Sequence, residues 1–161
     1  MAAGDKAYWS DITDFTISPA GYKTADTSRS STTTLTADPD LAVAVAAGAV
    51  YLMSAYIPHT YNAAGDFKFG WSGPAGASMP NWQADWRTTD GTEVSGAFTD
   101  ITSTVPITSA SGSLNQPVWC HGLLIVGATA GTFAFTWAQN TSNAAASIVR
   151  AGAVLRLERV A

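Results

Sequence analysis

Charge is what this sequence has least of. Only 12% of its 161 residues are Asp, Glu, Lys or Arg, about half the usual share, so neutral side chains must make up much of the surface. Eight basic and twelve acidic residues leave a net charge of −4, which removes the electrostatic basis for binding nucleic acid. Cysteine occurs once, at Cys120, so an internal disulfide is excluded. The two histidines, His59 and His121, do not sit in a zinc-ligand spacing. Phosphate-cradling loops, nucleophile elbows and dinucleotide fingerprints are missing too, and no cofactor is expected. No stretch reaches the roughly 20 uninterrupted apolar residues of a membrane-spanning helix. The start, MAAGDKAYWSD, lacks the apolar core of a signal peptide. These absences predict a neutral, soluble domain made in the cytoplasm, without membrane insertion.

What is present is alternation. Phe133, Phe135 and Trp137 alternate with Thr132, Ala134 and Thr136, which puts the three rings on one face of a strand. Phe67, Phe69 and Trp71 repeat the pattern. Near the C-terminus Leu155 and Leu157 share one face, while Arg156 and Glu158 share the other with Val154. Leu41, Val43 and Val45 alternate with alanines up to a break at Ala46–Gly48, and a strongly apolar strand resumes at Val50. The Thr-rich run Ser30–Thr36 suits a solvent-facing strand, Asp38–Asp40 reads as a turn, and Gly127–Gly131 as a hairpin. The late strands read as members of one sheet system. About eight short strands separated by Gly, Pro, Asn and Asp predict an all-β sandwich or barrel.

Residues 1–28 form a candidate N-terminal arm ahead of a β domain over 29–161: no period is sustained up to Phe15, and Ile17–Tyr22 reads as a turn or extended crossover around Pro19 and Gly21. Tyr8, Trp9, Ile12 and Phe15 would anchor such an arm to a partner; the other reading is that the segment covers one end of its own domain.

Few residues offer chemistry. Cys120 and His121 are adjacent, so on a strand they face opposite ways and cannot form a nucleophile–base pair; Cys120 is expected in the core and His121 outside it. Asp85, Asp90, Glu93 and Asp100 fall close together but lack the spacing of a calcium loop. Trp71, Trp82, Trp86 and Trp119 could supply a sugar-stacking platform, against the reading that they fill the core or a subunit interface. The glycan-binding candidates are Trp82, Gln83, Asp85 and Trp86. No pair of carboxylates is nominated for glycoside hydrolysis, so no enzyme is expected.

Several segments taken together carry a resemblance: residues 27–41 (TSRSSTTTLTADPDL), 66–71 (DFKFGW), 137–143 (WAQNTSN), 149–152 (VRAG) and 155–160 (LRLERV). They resemble a family of short virion-associated proteins of tailed actinobacteriophages, and residues 4–12 (GDKAYWSDI) resemble the short arm ahead of such modules. The likeness spans almost the whole chain and is weakest over residues 79–116, the expected place for variable surface loops. The resemblance implies an antiparallel jelly-roll-like β-sandwich, similar to tumour-necrosis-factor-like and fibre-tip domains, that forms a homotrimer. It implies a non-enzymatic capsid decoration or head-fibre protein on the virion surface, contacting the major capsid protein or tail proteins. The alternative is a tail-fibre or minor tail module that attaches to a host surface glycan. On this reading the rings of Phe67–Trp71 and Phe133–Trp137 divide between the core and a three-fold interface.

Overall fold

The computed structural model describes residues 20–88, 91–108 and 113–161; Tyr8, Trp9, Ile12, Phe15 and Asp90 lie outside them. Twelve strands follow in order: β1 (Ala20–Tyr22), β2 (Thr27–Arg29), β3 (Thr36–Val45), β4 (Val50–Asn62), β5 (Phe67–Ser72), β6 (Trp82–Arg87), β7 (Glu93–Phe98), β8 (Val105–Ile107), β9 (Ser113–Ile125), β10 (Gly131–Ala138), β11 (Ser147–Val149) and β12 (Val154–Arg159). All pairings are antiparallel, in two sheets. The large sheet runs β1-β12-β4-β9-β6-β7, with β11 beside β4 and β2 beside β11; the small sheet runs β3-β10-β5-β8. From β2 to β11 the chain changes sheet at every connection except the β6–β7 hairpin. That is a jelly-roll-like sandwich, with β6 and β7 extending the large sheet past β9.

The strand count exceeds eight for local reasons. The β11–β12 strand path, next to the edge, is broken at Arg150–Gly152, where Gly152 takes a φ of +88° that side chains other than glycine rarely adopt. Opposite it, β1 and β2 are the two halves of the outermost path, broken between Lys23 and Asp26. Residues 20–28, assigned by sequence to the arm, therefore belong to the sheet: Ala20–Tyr22 register with Arg156–Val154 and Thr27–Arg29 with Val149–Ser147. Strands of three residues are too short to show a period.

Three further expectations change. Residues 30–35 pair with no strand; they cross from the large sheet to the small one, and their Thr content reflects a polar connection. Asp38–Asp40 is not a turn but a bulge inside β3. There the register against β10 jumps from Ala134↔Ala42 to Thr136↔Ala37, and Pro39 is tolerated because a bulge asks for no ladder donor. The Gly127–Gly131 segment joins β9 to β10 across the sandwich, not within one sheet, so the late strands lie in different layers. By contrast, the break at Ala46–Gly48 stands as read, with Gly48 at φ +69°.

The core lies between the sheets. Trp137 registers with Phe69 and Phe135 with Trp71, which lines up the two aromatic alternations on the inward face of the small sheet. Phe67, Phe69, Trp71, Phe133, Phe135 and Trp137 are all buried, and Trp71 stacks on Phe133 with centroids 5.1 Å apart. None of the six divides off to an outer surface, because a shared face of paired strands has a single destination. Each ring removes some 150–250 Å² from water, so this cluster is the main apolar contribution to the fold.

One polar network crosses the core edge. Lys23, fully buried, places Nζ 2.9 Å from Asp38 Oδ1 and 2.8 Å from Asp40 Oδ2, and Trp137 Nε1 donates to Asp38 Oδ2 at 3.1 Å. The bulge in β3 turns these carboxylates toward the break between β1 and β2, tying the edges of the two sheets together. Arg29 adds a second tie. Its guanidinium donates to the carbonyls of Thr36, Ala37 and Trp137 and lies 4.1 Å over the Trp137 ring.

Candidate functional site: a groove on the outer face of the large sheet

Cross-strand partners share a face, so the outer face of the large sheet can be read in rows. One row runs Tyr22, Val154, Tyr56, Trp119, Asp85, Ser95. The next runs Ala20, Arg156, Ser54, His121, Gln83, Ala97. Beyond it lie Glu158, Leu52 and Leu123, then Val50 and Ile125. The face thus has an aromatic end and an aliphatic end, separated by a polar row. Of the exposed large hydrophobic residues described, Tyr22, Leu52, Trp119 and Ile125 lie on this face, and Val160 follows the end of β12 with its N–H bonded to Val50 O.

The aromatic end opens into a groove of about 590 Å³. It forms because β6 stays in register with β9 only from Trp82↔Gly122 to Asp85↔Trp119. Towards Asn115 the two strands part, and the β6–β7 hairpin leaves a cleft between Trp86 and Val94 on one side and Gln116, Pro117 and Trp119 on the other. Gly122 sets where the strands meet. A Cβ there would sit 2.5 Å from Trp82 Cβ and 2.9 Å from Asn81 O, so only glycine allows this approach.

Within the groove Trp119 is 55% exposed, its indole tilted 48° against Tyr56 at 4.4 Å. Gln83 Nε2 donates to Asp85 Oδ1 at 2.9 Å and to Ser95 Oγ at 2.7 Å. The Ser95 hydroxyl, the Gln83 amide and the nearby His121 hold the Asp85 carboxyl below its ordinary range, so it is ionised at neutral pH. Arg87 is paired with Glu93, and Gln116 Nε2 reaches Thr88 O at 3.3 Å. Among the described residues that line the groove, the remaining charge is the Asp85 carboxylate.

The glycan-binding candidates separate. Gln83 and Asp85 face out. Trp82, 3% exposed, does not: its ring stacks on Phe98 at 4.3 Å and its Nε1 donates to Asp100 O at 3.0 Å. Alternation sends Trp82 and Ala84 inward, and Trp82 is thereby unavailable to a ligand. Trp86 follows the same phase but sits where β6 leaves β9, half-buried with its edge at the groove. Trp71 is core. Trp119 is the exposed tryptophan of the groove, and the signal for its exposure lay in the alternation around it, since Val118 and Cys120 point inward.

Asp85, Glu93 and Asp100 are engaged separately, Asp100 by the Thr102 N–H at 2.8 Å and hydroxyl at 2.9 Å. No group of three His, Cys, Asp or Glu able to hold a metal occurs among the described residues. Cys120 is buried and burial pushes its thiol pKa up, while His121 is exposed on the opposite face, as read from sequence. No protein-family profile matches the chain, and no curated protein matches it.

Proposed function

We propose that this protein is a non-enzymatic structural module of a bacteriophage virion, a homotrimeric capsid decoration or head-fibre protein displayed on the particle surface. The observation that carries the reading is the aliphatic end of the large sheet. Val50, Leu52, Leu123 and Ile125 gather there on one face beside Val160, with Leu52 and Val160 half-exposed and Ile125 about a third exposed. On a chain with so little charge, such a patch favours association. Arg156 and Glu158 alternate along its border, offering both signs to a neighbouring copy. A three-fold contact is heterologous, so this patch meets a different surface on the next copy and closes after three.

The jelly-roll-like fold is the one the sequence resemblance implies, which adds support from an independent direction. The first nineteen residues, with Tyr8, Trp9, Ile12 and Phe15, would fasten the trimer to major capsid or tail proteins, many weak attachments acting together. Immunogold labelling of intact particles with antibody against this chain tests the reading. Gold over the heads is the expected result. Gold confined to the tail tip moves the protein to the host-attachment alternative, and particles without gold overturn the virion assignment.

A further inference from the structure

The geometry points to the groove beside Trp119 as a binding site for the pyranose ring of a neutral saccharide. The site belongs to a single chain and goes beyond the structural role; only the source of its ligand rests on that reading.

The argument starts from the exposed indole. A large aromatic ring left 55% open forfeits the burial that three other described tryptophans, Trp71, Trp82 and Trp137, have. Tyr56 props it from the side at 4.4 Å, which fixes the plane of the ring and lowers the cost of ordering it on binding. One face of a pyranose carries C–H groups that are slightly positive, and these match the negative face of an indole. Its rim carries hydroxyls, which need paired donors and acceptors.

The groove supplies those beside the ring. Asp85, one strand away from Trp119 in the same row, offers carboxylate oxygens that accept from hydroxyls. Its orientation is held by Gln83 and Ser95. The amides of Asn115 and Gln116 on β9 can both donate and accept. A cleft of about 590 Å³ falls in the range of small-ligand sites and has room for a short oligosaccharide.

Charge chooses the class of sugar. With Arg87 committed to Glu93, the free charge is negative, and a uronate or phosphate-bearing glycan would meet the Asp85 carboxylate. A neutral ring meets only acceptors and donors. On a displayed particle protein, the source of such a ligand would be a host-surface glycan.

The test uses the full chain on a printed array of gluco-, galacto- and mannopyranose oligosaccharides alongside uronate-bearing counterparts, with titration calorimetry on the strongest neutral glycan. The expected result is retention of neutral glycans, at least tenfold weaker binding by Trp119→Ala and by Asp85→Asn, and partial recovery in Trp119→Phe. Leu52→Ser, at the aliphatic end, should bind as the parent does. Melting curves of each variant show that it is folded, as expected for an exposed ring. Retention of no neutral glycan, preference for the acidic set, or undiminished binding by Trp119→Ala each overturns the proposal. Mass measured on the same samples reports the oligomer separately, so loss of either property is seen without the other.

Discussion

His59 shows how one residue's surroundings set a pH dependence. It is buried against Phe67, ring centroids 4.4 Å apart, with Nδ1 3.2 Å from Ile57 O, and Nε2 has no hydrogen-bond partner among the described residues. Burial lowers its pKa from 6.5 to about 4, so the folded protein keeps it neutral. The unfolded chain takes up a proton as pH falls through 6.5 and the folded one does not until about 4. Its contribution is therefore fully present above pH 6.5 and declines on acidification, by roughly 3 kcal/mol in all across that window. Melting temperature should fall from pH 6.5 to 4, and His59→Phe, which keeps the ring stacking, should fall less. A parallel decline in both proteins would refute this role. Nothing in the residue order signals it, because a histidine in a strand such as Val50–Asn62 looks the same whether or not its face is sealed. Lys23 was equally hidden: its burial depends on a bulge in β3, fifteen residues on.

At the level of elements, alternation did most of the work. It placed the Phe67–Trp71 and Phe133–Trp137 faces, the Leu155/Leu157 edge and the opposed Cys120 and His121. It failed where the rule is local and the outcome is not. Six inward rings could be read as serving two surfaces, since periodicity states that residues share a face without saying what covers it. The Thr-rich run of residues 30–36 has strand propensity, yet tertiary routing made most of it a crossover. The groove was half legible: Gln83 and Asp85 face it, but Trp82 does not, and its position depends on where β6 parts from β9. Gly122 controls that point. Gly122→Ala forces backbone and the Trp82 side chain apart, and overpacking of this kind costs about 1–3 kcal/mol. A lowered melting temperature, with altered amide shifts along Trp82–Phe98 in NMR spectra, is the expected outcome. An unperturbed hairpin would show that β6 is held by other contacts.

For the whole molecule, the two ends of the outer face carry different assignments. The aromatic end, with Trp119 and Asp85, is open, and the proposed occupant there is a small polar ligand with an apolar face. The aliphatic end, with Leu52, Ile125 and Val160, has little in it for such a ligand and suits another protein surface. The polar row through Arg156, Ser54, His121 and Gln83 keeps them apart, so copies can meet at one end and leave the other accessible. Little of this was legible in the sequence, which showed that neutral surface was abundant but not that its exposed hydrophobic residues collect on one sheet.

The trimer is the central claim, and solution mass tests it most directly. Light scattering on the purified chain at micromolar concentration should give three times 16.7 kDa, and Leu52→Asp combined with Ile125→Asp should give a folded protein of one chain's mass. A parent protein that is monomeric under those conditions, or a doubly substituted one that remains trimeric, would contradict the account.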